Sequence, residues 1–189
     1  MAINLTGLNG KVALITGAGR RRSIGLGVAR ALAEAGCDVV ITGTGRSPAL
    51  YPEEEKTSGW RDIDSVAEEV RALGRRALPV VSDVSDLDSV SRLAERVMTE
   101  MGRIDFIVNN AGAARAGDRA AVVDVSPDVW RNVINVNLNG TFYMSQVFGR
   151  KLMVQGEGGA IINISSIGGK LMAPTTAAYA ASKAGIHAL

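Results

Sequence analysis

The chain has 189 residues, 47% hydrophobic and 21% charged, enough for one globular domain with a buried core. A net charge of +2 without a basic stripe gives no footing for a nucleic-acid partner, and no apolar stretch reaches the roughly 18 residues of a membrane span. The one cysteine, Cys37, excludes an internal disulfide, and residues 1–10 lack a signal-peptide pattern, so a cytoplasmic protein is expected.

The predicted elements alternate. Lys11–Thr16 reads as a buried strand and Ile24–Ala35 as the helix after it, stopped by Gly36. Asp38–Thr42 is a second strand, and Ile63–Leu73 a helix ended by Gly74. Between them Thr44–Trp60, with two prolines and Glu53–Glu55, reads as a solvated surface loop, the alternative being a lid over a neighbouring site. Ala77–Ser82 is a third strand, followed by a helix from Asp86 to Met101 that Gly102 ends, and Ile104–Asn109 is a fourth strand. A long helix over Pro127–Val154 takes Ser126 as its cap, Ala160–Ser165 is a fifth strand, and Thr176 caps a last helix carrying Tyr179. Near-continuous apolar strands alternating with helices predict a parallel sheet covered on both faces. The expected architecture is a single α/β domain over 1–189, doubly wound in the Rossmann manner.

The first strand runs straight into Thr16-Gly17-Ala18-Gly19-Arg20-Arg21-Arg22-Ser23-Ile24-Gly25 and then a helix. Glycines there let the backbone approach a ligand, and the helix N-terminus offers free N–H groups and a positive dipole end to a pyrophosphate. Strand, glycine turn and helix in that order are the context of a dinucleotide fingerprint. In an NAD site an acid at the end of the second strand holds the ribose hydroxyls. Here Gly43-Thr44-Gly45-Arg46 takes that place, and Asp38 lies at the strand's other end. The missing carboxylate and the three arginines favour a ribose bearing a 2′-phosphate, hence NADP rather than NAD, unless Arg20–Arg22 merely solvate a surface turn.

Tyr179 and Lys183 are spaced to emerge on one face of the last helix. A free tyrosine is a poor acid or base at neutral pH, and a nearby ammonium favours its phenolate form. The pair alone is commonly a surface feature. The fifth strand, however, ends in Ser165-Ser166, at the carboxyl end where ligands gather, and a hydroxyl there suits a substrate oxygen gaining negative charge. Asn137 sits on an apolar helix face with Val133, Ile134 and Thr141, a placement that breaks the local rule. Asn132, Asn135 and Asn139 read as surface residues.

With Thr16-Gly17…Ile24-Gly25, Asp83-Val84, Asn109-Asn110-Ala111-Gly112, Asn137, Ser166 and Tyr179-Ala-Ala-Ser-Lys183 in this order, the chain resembles the short-chain dehydrogenase/reductases over essentially its whole length. It is similar to bacterial members related to 3-oxoacyl-carrier-protein reductase. The resemblance implies hydride transfer between NADP(H) and a carbonyl or secondary alcohol, with Tyr179 as general acid/base. It implies that Lys183 binds the nicotinamide ribose and lowers the tyrosine pKa, that Ser166 orients the carbonyl, and that Asn137 holds a water of the proton relay. Cofactor contacts are implied at Gly17, Arg20, Arg22, Ser23, Ile24, Gly25 and Thr44, at Asp83 and Val84 beside the adenine, and at Asn110, Ala111 and Gly112. No metal is implied. A homodimer or homotetramer through the last two large helices is, and Ala177, Ala178, Ala180, Ala181 and Ala184 are small enough for close packing.

Two departures stand out. The phosphate turn is two residues longer than the family's, with Ser23 in place of its middle glycine. The chain also stops at Leu189, inside the expected catalytic helix, whereas family members continue through two more strands and a segment that closes over the substrate. A non-catalytic nucleotide-binding protein and an inactive truncated piece are the alternative readings, and the intact Asn137, Ser166, Tyr179 and Lys183 argue against the first. His187 reads as an ordinary helix residue, Cys37 as packing at a strand entrance, and Trp60 and Trp130 as packing residues, Trp60 closing the surface loop.

Overall fold

The computed structural model describes residues 7–113, 117–171 and 173–189. Five parallel strands form one sheet: β1 (Val12–Ile15), β2 (Asp38–Gly43), β3 (Ala77–Val81), β4 (Phe106–Asn109) and β5 (Ala160–Asn163), in the order β3-β2-β1-β4-β5. The chain moves outward from β1 to β3, then crosses back to β4 and β5. That reversal leaves a crevice beyond the carboxyl ends of β1 and β4. This is the doubly wound sheet that the sequence predicts.

Alternation along β1 feeds two cores. Val12 and Leu14 join Val40, Ile107, Met144 and Phe148 on one face, with residues of α4 (Leu87–Met101) and α6 (Gly140–Gln155). Ala13 and Ile15 join Val39, Ile41, Val66 and Val70 on the other, with residues of α1 (Ile24–Glu34) and α3 (Ile63–Ala72). All four β1 residues are buried, which is why that strand is apolar without interruption. Each large side chain so buried contributes about 1.5–3 kcal/mol.

The amino ends of the strands are tied by Asp105. Its carboxylate accepts from the Val12 N–H at 2.9 Å and from Arg103 at 2.8 and 2.7 Å, with Lys11 at 3.1 Å. Burial alone would raise its pKa, but the bonds from Arg103, Val12 and Lys11 outweigh that and hold it below the ordinary aspartate value.

Four expectations need correction. The helix expected over Pro127–Val154 is three pieces: α5 (Pro127–Ile134), a π-helical turn (Asn135–Asn139) and α6. Gly140 packs so closely that an added Cβ would lie 2.7 Å from Val84 Cγ2. Thr176 precedes α7 (Ala177–Ile186) without a capping bond: at φ −133° and ψ 31° its backbone is not in the extended region that Ser23 adopts as a cap, and its hydroxyl donates to the Ala173 carbonyl at 3.1 Å. The segment read as a solvated loop is mostly exposed but not irregular: it folds into a turn at Pro48–Leu50 and α2 (Glu53–Thr57), buries Tyr51 and Glu55, and hangs on the Trp60 indole, which donates to the Gly19 carbonyl at 2.7 Å. Trp130 is 39% exposed and so does not pack as a core residue. Cys37 is fully buried at the entrance to β2, where burial pushes its thiol pKa up. Among the described residues no helix is long and apolar enough to cross a membrane.

Candidate active site

The turn after β1 and the turn after β4 are locked together by Thr16 and Asn110. Thr16 Oγ1 accepts from the Asn110 and Ala111 N–H groups at 3.0 and 2.9 Å, and Asn110 Nδ2 donates to the Thr16 and Gly17 carbonyls at 2.8 and 3.2 Å. Gly17 is required twice over, by a φ of +65° and because a Cβ would lie 2.7 Å from Ala111 Cα. Gly25 is pressed against Ala18 and Asn110 from behind. Ser23 caps α1: its hydroxyl accepts from the Leu26 N–H at 3.1 Å and donates to the Arg20 carbonyl at 2.9 Å.

In front of this turn lies a cleft of about 580 Å³. Of the sequence-predicted cofactor residues it brings together Gly17, Arg20, Thr44, Asp83, Val84, Ala111 and Gly112. It does not bring in the side chains of Arg22, Ser23, Ile24 or Asn110, nor Gly25. Arg22 points outward to Glu54 at 3.0 Å, Ile24 is 62% exposed, and Ser23, Gly25 and Asn110 hold the turn itself. Asn132, read as a surface residue, is exposed but forms part of the cleft wall. Asp62, singled out by no motif, lines the cleft beside Gly19 and Gly43.

The cleft joins the other predicted residues through Ala113, whose N–H donates to Asn137 Oδ1 at 2.8 Å. Asn137 is 1% exposed, and its Nδ2 donates to Ser182 Oγ at 3.0 Å, which in turn donates to the Tyr179 carbonyl at 2.7 Å. The Asn137 carbonyl accepts from Thr141 Oγ1 at 2.7 Å within the π-helical turn. Ser182, like Asp62, is a residue that sequence reasoning missed; its only signal is its place beside Lys183.

Lys183 is buried and donates to the Ile164 carbonyl at 2.7 Å, which uses one of the ammonium's three donors. Its Nζ lies 5.8 Å from the Tyr179 ring centroid, and burial lowers its pKa below the ordinary lysine value. Ser166 adopts an extended conformation and accepts from the Gly168 N–H at 3.1 Å, leaving its own proton for another acceptor. Ser166 and the Tyr179 ring both lie beside Gly168: a Cβ there would be 3.3 Å from Tyr179 Cε1 and 3.5 Å from Ser166 Oγ. The Arg119 guanidinium, outside any motif, stands 5.4 Å above the Tyr179 ring. His187 is more than an ordinary helix residue, since its Nε2 lies 2.7 Å from Ser165 Oγ, which donates to the Lys183 carbonyl at 3.0 Å.

A family model of the short chain dehydrogenases matches residues 11–189. The chain is 38% identical to 2-dehydro-3-deoxy-D-gluconate 5-dehydrogenase of Dickeya dadantii, over 98% of this chain and 65% of that protein. Its fold superposes on a crystal structure of NAD+-bound xylitol dehydrogenase with a TM-score of 0.81 and 32% identity, covering 96% of this chain and 63% of that one. A metagenomic short-chain oxidoreductase in complex with NADP gives a TM-score of 0.78 and 33% identity, covering 96% and 73%. The chain thus spans about 65% of the length of the curated relatives it matches. It belongs to the short-chain dehydrogenase family.

Proposed function

We propose that the protein is an oxidoreductase moving hydride between an NAD(P)(H) cofactor and a carbonyl or secondary alcohol, with Tyr179 as general acid/base. The observation that carries the reading is the grouping of Tyr179, Ser166 and buried Lys183 beside the cleft. The cleft suits a dinucleotide, for it lies beyond the carboxyl ends of the strands where the strand order reverses and presents a buried carboxylate oxygen with no partner among the described residues, Asp62 Oδ2. Gly17, Arg20, Thr44, Asp83, Val84, Ala111 and Gly112 would hold it.

The nicotinamide, when bound, supplies or accepts the hydride. The chain's own residues handle the proton and the charge. In the reducing direction the Tyr179 hydroxyl gives its proton to the substrate oxygen as the alcohol forms. The Ser166 hydroxyl, its oxygen held by the Gly168 N–H, donates to the same substrate oxygen. The Lys183 ammonium favours the negative charge left on the phenolate, and the bond to the Ile164 carbonyl leaves it two further donors. Asn137 bridges the turn after β4 to α7 through Ser182 and so fixes the cleft relative to the tyrosine.

A homodimer or homotetramer and a cytoplasmic location go with this reading. Of the alanines named for close packing, Ala178 and Ala180 are already buried within the chain, which leaves Ala177, Ala181 and Ala184 for a partner subunit. The sequence weighs toward NADP, whereas the packing over the cleft weighs against it. The test is nucleotide oxidation by the full-length protein against a panel of ketones, keto sugar acids and acyl thioesters. Turnover with at least one class, abolished in Tyr179→Phe, is expected; no turnover with any, or turnover that survives the substitution, would contradict the reading.

A further inference from the structure

Asp62 is the only non-glycine residue with a positive φ among the described residues, at φ 54° and ψ −128°. It stands at the N-cap of α3 yet forms no capping bond there. It is 6% exposed, and its carboxylate is turned toward the cleft between the end of β2 and the phosphate turn. A Cβ on Gly19 would lie 1.5 Å from Asp62 Oδ1, so Gly19 exists to admit this carboxylate; one on Gly43 would lie 3.9 Å from Oδ2. Oδ1 accepts from Arg46 Nη2 at 3.2 Å, while Oδ2 is buried without a partner among the described residues. Strain and an unsatisfied buried carboxylate oxygen persist where a ligand repays them.

Of the three arginines behind the NADP expectation, Arg20 lines the cleft and the other two are engaged elsewhere. Arg21 and Arg22 contact Glu54 at 3.4 and 3.0 Å. Arg46 is held by Glu55 at 3.1 Å and by Asp62, and lies 4.8 Å over the Tyr51 ring. Glu55 is itself 4% exposed, so drawing Arg46 toward a phosphate would take the cationic partner from two buried carboxylates, leaving Glu55 only its bond from the Arg21 N–H at 2.8 Å. One arginine among two carboxylates leaves the trio net negative. Such a place accepts hydroxyl donors and repels a phosphate dianion.

We infer that Asp62 receives the adenosine ribose hydroxyls, delivered by the segment after β2 in place of the acid missing from the strand end, and that the cleft selects NAD(H) over NADP(H). The inference rests on the reading of the cleft as a dinucleotide site. Calorimetric titration of the full-length protein with ADP-ribose and with 2′-phospho-ADP-ribose tests it without turnover. ADP-ribose should bind at least about tenfold more tightly, and Asp62→Asn should lose most of that preference, as removal of one charged hydrogen bond requires. Circular dichroism checks that Asp62→Asn is folded, and the wild-type ratio is informative by itself. Equal affinities, or tighter binding of the 2′-phosphate, overturn the inference. A preference that survives in folded Asp62→Asn overturns the role of Asp62. Binding of neither ligand overturns this inference and the dinucleotide reading together.

Discussion

The two ends of the site are built on opposite principles. At the catalytic end Lys183, Asn137 and Ser166 are each held inside the chain, Lys183 on the Ile164 carbonyl, Asn137 on Ala113 and Ser182, Ser166 on Gly168, although Asp118 Oδ1 beside Arg119 lacks a partner among the described residues. At the other end three buried polar atoms lack a hydrogen-bonding partner among the described residues: Thr42 Oγ1, Asp62 Oδ2 and Glu55 Oε2, the last with only its ionic contact to Arg46. The backbone at Asp62 is strained as well. One end is preorganised for a reaction; the other holds unsatisfied groups that a ligand completes.

The comparison is broken most severely at the catalytic end. Lys183→Met should lower turnover by about 10²–10³-fold, the cost of losing one electrostatic stabiliser, with the fold intact because the new side chain suits a buried site. In the unaltered protein the alkaline fall of the rate should begin below the ordinary lysine range, since burial lowers the Lys183 pKa. A pH–rate profile checks both.

Asp105 is the control, a buried charge fully partnered at the far end of the sheet. Asp105→Asn should cost about 2–3 kcal/mol in denaturant unfolding. Because its folded pKa is depressed, its contribution is present above its unfolded pKa of about 4 and fades as pH falls through the folded value. The gap between wild type and Asp105→Asn should therefore close in acid.

Ser182→Ala should cost about 1–2 kcal/mol by leaving the buried Asn137 amide short of one acceptor. Its effect should fall on kcat more than on nucleotide affinity, because the lost bond positions α7 and not the cleft. The smallest effect is expected at the strained end. Asp62→Asn keeps an acceptor for Arg46, which retains its ion pair to Glu55, and removes the charged oxygen that lacks a donor, so thermal unfolding of the free protein should show a gain of about 1 kcal/mol. A loss of that size would mean that the free carboxylate is not under strain.

These construction rules decide what can be read from residues alone. The Tyr179–Lys183 pair is local to one helix, Ser166 ends a strand, and Asn137 violates an apolar face, so each left a short-range mark. The five strands were likewise written as unbroken apolar runs. The adenosine end depends on tertiary contact: Trp60 reaches Gly19 across 41 residues, and nothing near Asp62 announces that its carboxylate turns back to the turn after β1. The π-helical turn at Asn135–Asn139 hid inside a continuous helical pattern, its only trace the alternating asparagines. Thr176 carried the right residue type for a cap, but its backbone does not take the extended conformation that aims a capping side chain.

The central claim, that chemistry and cofactor recognition occupy separable ends, is tested most directly by Tyr179→Phe in the full-length protein, with NADH affinity and turnover measured on one preparation. The predicted result is affinity within about twofold of wild type and turnover lowered by about 10²–10⁴-fold, the share that general acid/base catalysis contributes. Retained turnover, or nucleotide affinity lost along with it, would contradict the account.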